Sequence, residues 1–182
     1  MSRIIAGQWK RHPLPIFNRG PVRPTSSRTR TVLFDTLPNI TDYTVADLFS
    51  GTGSLGFEAL SRGARSLVSI DKQARYISQQ KQWIRDHDAI DRFTGYAFDY
   101  QKYLKNTSDQ SFDLILMDPP YDLEIKLAEW EQLVRHLNEQ GWLVYECSQR
   151  RKFVMPDGIE LDLYKTKQMG DSVLYFYSRG EV

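Results

Sequence analysis

The chain has 182 residues, 41% hydrophobic and 13% aromatic, with 24 basic against 23 acidic side chains and a single cysteine, Cys147. That is enough apolar material for one domain with its own core, and it excludes an internal disulfide. No apolar run reaches the ~18 residues that span a bilayer, and Arg3, Lys10 and Arg11 interrupt the short apolar runs at the start, so a cytoplasmic chain without membrane contact is expected.

Charge is unevenly spread. Seven basic residues (Arg3, Lys10, Arg11, Arg19, Arg23, Arg28 and Arg30) and no acid precede Asp35, so all 23 acids share the remainder with 17 bases. A basic arm on an acidic body predicts that a phosphate backbone docks at one side. Residues 3–9 and 14–17 read as short strands around the turn Lys10-Arg11-His12-Pro13, an edge hairpin given the prolines at 13 and 15. Trp9, His12 and Phe17 are placed to stack on unpaired bases. After a loop over 18–24, Thr25 or Ser26 can cap a helix from about 27 to 37, with Val32, Leu33 and Leu37 inward and Arg28 and Arg30 free to meet ligand or RNA. Pro38 ends it. Residues 1–40 are therefore expected to form a small basic extension, and 41–182 the main domain.

From residue 44 strands and helices alternate. Strands are expected at 44–49, 66–70, about 93–98, 112–117 and 142–147, with helices at 54–62, 72–86, about 100–105 and 123–138. This alternation predicts an α/β protein: a doubly wound, mostly parallel sheet with helices on both faces. The runs 159–166 and 172–178 have no helix between them and should close one edge as an antiparallel hairpin, making seven strands. In such sheets ligands lie beyond the carboxyl ends of the strands, where strand order reverses. The three histidines, His12, His87 and His136, show no metal-ligand spacing, so no metal is expected.

The first strand runs into Ser50-Gly51-Thr52-Gly53-Ser54-Leu55-Gly56 and then a helix. Glycines permit a tight turn and close ligand approach, and the helix presents free N–H groups. About 20 residues past Gly51, Asp71 ends the second strand, where a carboxylate can accept from a ribose diol. Phe98 and Asp99 end the third, with Asp99 able to accept from an adenine amino group or to cap the next helix. The pattern suits an adenosine-bearing cofactor. The same spacing would serve NAD, but Asp47, four residues before Gly51, would repel a diphosphate and could hold a cationic ammonium or sulfonium. It favours S-adenosylmethionine.

The fourth strand ends in Asp118-Pro119-Pro120-Tyr121. Each proline fixes φ and lacks an N–H, so the loop is stiff and offers only acceptors, the Asp118 carboxylate and backbone carbonyls, beside a flat tyrosine ring. Such a corner suits a planar group bearing an amine: two acceptors gripping its hydrogens can turn the nitrogen lone pair toward an electrophile.

Asp47-Leu48-Phe49-Ser50-Gly51-Thr52-Gly53-Ser54-Leu55-Gly56, followed by Glu58-Ala59-Leu60-Ser61-Arg62-Gly63-Ala64 and by Asp118-Pro119-Pro120-Tyr121, resembles the RsmD family of class I methyltransferases. Arg3-Ile4-Ile5-Ala6-Gly7, Arg23-Pro24-Thr25 with Arg28 and Arg30, and Gly170-Asp171-Ser172 match as well, so the similarity covers nearly the whole chain. Thr31 and Met169 depart from the family's usual acidic and aromatic residues. The resemblance implies a Rossmann-like class I fold and methylation of the exocyclic amine of one guanine in small-subunit (16S) ribosomal RNA, free or in an assembling subunit. Expected roles follow. Asp118, Pro119, Pro120 and Tyr121 are catalytic. Asp47, Ser50, Gly51, Gly53, Gly56, Asp71, Phe98 and Asp99 hold S-adenosylmethionine. Arg3, Lys10, Arg11, Arg23, Thr25, Arg28 and Arg30 meet the RNA. A monomer is expected. Adenine N6 methylation, hydride transfer with NAD and a catalytically silent RNA-binding protein remain the competing readings.

Overall fold

The computed structural model describes residues 2–15, 25–107 and 110–180. Arg23, Phe17 and the loop at 18–24 lie outside the described residues. In chain order the strands are Thr44–Asp47 (β1), Ser66–Ile70 (β2), Phe93–Tyr96 (β3), Phe112–Met117 (β4), Leu137–Ser148 (β5), Asp162–Met169 (β6) and Ser172–Ser178 (β7). The α-helices are Ser27–Thr36 (α1), Ser54–Ser61 (α2), Ala74–Arg85 (α3), Tyr100–Asn106 (α4) and Leu127–Arg135 (α5).

One sheet contains every strand, in the order β3-β2-β1-β4-β5-β7-β6. Pairing is parallel from β3 through β5 and antiparallel from β5 to β7 and from β7 to β6. Successive strand residues face opposite sides, which sorts the apolar residues into two cores. Val45, Leu67, Leu114, Leu116 and Val144 pack with side chains of α1, α2 and α3. Ala46, Val68, Ile70, Ile115, Met117 and Tyr145 pack with α4 and α5. Burial on both faces is why β4 reads as an unbroken apolar run rather than an alternating one. Strand order reverses between β1 and β4, and a crevice opens at their carboxyl ends.

Several bounds differ from expectation for local reasons. The helix expected at 123–138 is confined to Leu127–Arg135 because the chain first turns, with the Leu123 N–H donating to the Pro120 carbonyl at 2.9 Å. The Glu129 carboxylate then accepts from the Lys126 N–H at 2.7 Å and starts the helix. The strand expected at 142–147 begins at Leu137, where an irregularity lets Leu137 pair with Phe112 before regular pairing resumes at Trp142. The first and third strands stop short, at Asp47 and Tyr96, and β6 runs three residues later than expected.

The N-terminal arm departs furthest. The expected hairpin is a single bridge, Arg3 with Pro13, and the bend spans residues 6–11. Helix α2 holds it. The buried Glu58 carboxylate accepts from the Ile5 and Ala6 N–H groups at 2.9 and 3.0 Å and from Arg62 Nε at 2.9 Å. The Gln8 N–H donates to the Ser61 carbonyl and the Trp9 N–H to the Ser61 hydroxyl. Gly7, at φ +80°, runs so close to α2 that a Cβ would lie 1.7 Å from the Ser61 carbonyl oxygen. Trp9 is consequently a core residue, edge-on to Trp83 at 5.2 Å, and is not free to stack on bases. His12 stays exposed and pairs with His87 across 3.0 Å.

Arg30 also corrects the sequence reading. It shares the inward face of α1 with Leu33 and Phe34, is 0% exposed, and donates from Nη2 to the Arg3 carbonyl at 2.7 Å and the Ser2 hydroxyl at 3.1 Å. A residue three and four positions before two core residues lies on their face. Arg30 therefore ties helix to arm rather than meeting RNA. Phe34 fills the core place expected of Val32, which is half-buried.

Candidate active site

The loop after β1 is built around two carboxylates. Asp71, at the end of β2, accepts from the Gly51 N–H at 2.9 Å and the Gln73 N–H at 2.7 Å, so it pins the glycine turn to the neighbouring strand. Asp47 is 1% exposed; one of its oxygens accepts from the Gly56 N–H at 3.3 Å and the other, Oδ1, is buried without a hydrogen-bond partner among the described residues. Burial, then the nearby Asp118 charge, pushes its carboxyl up to about 7. Gln80 supports the turn from α3, donating to the Ser50 hydroxyl and the Gly51 carbonyl at 2.9 Å each. Gly53 caps α2 in the left-handed region. At Gly56 a Cβ would lie 2.6 Å from Leu67 Cδ2, so glycine lets α2 rest on β2 without displacing that leucine.

Across the crevice, Asp118 follows β4 and accepts at Oδ2 from the Thr25 hydroxyl at 3.0 Å. Burial raises its carboxyl above the ordinary range. Pro119 and Pro120 fix the chain beyond it, and Tyr121 is 51% exposed, its ring open to a stacking partner. Met117 is in register with Tyr145, so the next residues, Asp118 and Glu146, stand side by side.

One crevice of about 790 Å³ joins the two halves. Gly51, Asp71 and Asp99 line it from the cofactor-type loops, and Thr25, Asp118, Pro119, Pro120 and Tyr121 from the opposite corner. Asp99 caps α4 through the Gln101 N–H at 2.8 Å, the alternative role, and also lines the crevice. Asp47, Ser50, Gly53 and Gly56 stand behind the wall and shape it. Phe98 is not among the lining residues; it rests against Tyr96 and under Lys102, while Phe49 and Tyr100 provide aromatic wall. Arg3, Lys10, Arg11 and Arg28 are exposed and lie outside the crevice lining. Among the described residues no cluster has the makings of a metal site, and no helix is long and apolar enough to cross a membrane.

The family model described as Conserved hypothetical protein 95 matches residues 2–178. A ribosomal RNA small subunit methyltransferase D from Haemophilus influenzae is 33% identical over 146 residues, 78% of this chain and 72% of that protein. The chain belongs to the RsmD family of class I methyltransferases. A solved Escherichia coli structure, described as a candidate methyltransferase, superposes with a TM-score of 0.86 at 25% identity, covering 98% of this chain and 97% of that one. A more distant candidate methyltransferase, complexed with SAH, shares the fold with a TM-score of 0.69 at 16% identity over 83% of this chain and 48% of that one.

The crevice lining is acidic. Among the described residues Asp71, Asp99, Asp118, Glu146 and Asp171 face it, against Lys72 as the one basic lining residue. Glu146 escaped sequence reasoning because it sits inside the apolar run of β5, where a lone polar residue looks like an outward-facing strand position. Only the β4–β5 register, Met117 with Tyr145, places it beside Asp118. Burial and the Asp118 charge push its carboxyl up to about 7, with the Ser172 hydroxyl working the other way.

Proposed function

We propose that this protein transfers the methyl group of S-adenosylmethionine to the exocyclic N2 amine of a specific guanine in 16S ribosomal RNA of the small subunit, with residues 1–40 serving as the RNA-facing extension of a catalytic domain at 41–182. The observation that carries this reading is the single acidic crevice running from the glycine turn to the Asp118-Pro119-Pro120-Tyr121 corner. Among the described residues, five carboxylates against one lysine suit a cationic donor and oppose the diphosphate of NAD. The family relationship supports the same choice, and the ribosomal substrate follows the names its relatives carry.

The donor supplies an electrophilic methyl: as the N–C bond forms the C–S bond breaks, and its electron pair leaves on sulfur as a neutral thioether. The protein's residues do the rest. Asp71 holds the ribose and Asp99 the adenine amine, while Asp47 fixes the turn that carries Gly51. Asp118 and the Pro119 carbonyl accept the two hydrogens of the target amine and point its lone pair into the crevice, and Tyr121 stacks on the flipped base. The methylated nitrogen is cationic and sheds its extra proton readily. Asp118, whose carboxyl burial has made more basic, is placed to take it. Arg3, Lys10, Arg11 and Arg28 hold the RNA backbone at the arm, with Thr25 at the corner itself.

Labelled-methyl transfer to ribosomal RNA, DNA and small subunits in parallel, followed by nucleoside analysis, tests the assignment. N2-methylguanosine in ribosomal RNA is expected; N6-methyladenine, or stabilisation by NAD instead of S-adenosylmethionine, would overturn it. Asp118→Ala should lower transfer by about 10²–10³-fold, as removal of a preorganised group does, while calorimetry shows cofactor affinity retained.

A further inference from the structure

The acceptor corner just described grips any planar amine, adenine's included, so something beside it must tell bases apart. Glu146 stands there. It is 8% exposed, lines the crevice next to Asp118, and its Oε2 is buried with no hydrogen-bond partner among the described residues. An orphaned buried carboxylate oxygen is costly unless a ligand completes it. The groups around it leave Oε2 open: Asp118 on the β4 side is itself an acceptor, the Ser172 hydroxyl, which bears on this carboxyl and also donates to the Met169 carbonyl at 3.3 Å, does not reach Oε2, and neither do Tyr121 and Cys147.

We propose that Glu146 is the residue that selects guanine, its free carboxylate oxygen accepting the ring N1–H while Asp118 and the Pro119 carbonyl hold the adjacent amine. The inference rests on the function proposed above and deepens it. Guanine carries a donor at the ring position beside its amine. Adenine and cytosine carry a lone pair there, which would face the carboxylate acceptor to acceptor. A site built to receive an N–H rejects an analogue lacking it far better than an apolar pocket rejects an extra methyl group. The N1–H contact also places negative charge beside the ring as the amine nitrogen becomes cationic, which favours transfer to the correct base.

The test uses the full-length protein and RNA in which the mapped target guanosine is replaced by 2-aminopurine riboside, which keeps the amine but has a lone pair at N1. Wild-type protein should favour guanine in kcat/KM by at least about tenfold. Glu146→Gln, whose amide can donate to that lone pair, should lose guanine activity and shrink the guanine to 2-aminopurine ratio by about tenfold or more, with an unchanged Kd for S-adenosylmethionine. An unchanged ratio in the variant overturns the role of Glu146 while leaving guanine methylation standing. A wild-type ratio near one overturns it without any variant, should Glu146→Gln fail to fold. If wild-type protein forms no N2-methylguanosine at all, the proposed function falls first and the assignment with it.

Discussion

A buried carboxylate that lacks its full set of donors resists ionisation, and Asp47 does so with one oxygen unpartnered among the described residues. Its folded-state value of about 7 lies above the ordinary 3.8. Below 3.8 both folded and unfolded chains carry the proton and nothing is lost. Between 3.8 and 7 the unfolded chain ionises first, so the fold loses stability as pH rises, and above 7 the loss is constant. Asp47→Asn should therefore melt higher than wild type at pH 8, with the gap closing as pH falls toward 5; a gap independent of pH in thermal melts would refute the cause. Glu146, also at about 7, titrates in the working range. The groups facing it are Asp118 beyond β4, Tyr121 after it, and Cys147 and Ser172 on β5 and β7, with Asp47 and Asp171 acting on that set from β1 and the β6–β7 turn. Ionised, it accepts from guanine N1; protonated, it can donate to a lone pair. Discrimination between guanine and 2-aminopurine should thus grow from pH 6 to pH 8.5 in single-turnover assays.

Elements whose residues are buried on a regular period were legible in the chain, and those fixed by one distant contact were not. The apolar run Phe112–Met117 and the alternating Ser172–Ser178 have the bounds expected of them. Helix α5 was overextended because Leu123 and Ile125 continue an apolar period that the Pro120 turn interrupts. Arg30 looked exposed because charge outweighed its spacing from Leu33 and Phe34, and Trp9 looked free because its partner Trp83 lies 74 residues away. The glycine turn was legible as a turn, but Gly56 proved to serve helix packing. Gly56→Ala pushes a methyl group into Leu67, a crowding that costs about 1–3 kcal/mol. In a chain of this length that lowers Tm by roughly 2–12 °C. Thermal melting with and without cofactor checks it, and a variant as stable as wild type would show that α2 can lift off β2.

At the scale of the whole molecule, the basic arm is fastened to the same helix that follows the glycine turn, through Glu58, Ser61 and the close passage of Gly7. Arg3, Lys10, Arg11 and Arg28 are exposed, while Ile4, Trp9 and Leu14 join the core of the body. Replacing Arg3, Lys10, Arg11 or Arg28 by alanine should weaken RNA binding similarly across sequences. Each phosphate left without its cation should flatten the dependence of log affinity on log salt by about one, measurable by filter binding over a salt series. An unaltered slope in all four variants would move the RNA to another face.

The Thr25 hydroxyl on Asp118 has a consequence for turnover. On the proposed chemistry an arriving amine evicts a tenant instead of filling a vacancy, and such a swap of one hydrogen bond for another is nearly neutral in free energy. A methylated amine returns with one hydrogen fewer to offer. With a single hydrogen to divide between Asp118 and the Pro119 carbonyl, the product grips the corner less firmly than the substrate did, and the threonine hydroxyl competes with it for the aspartate.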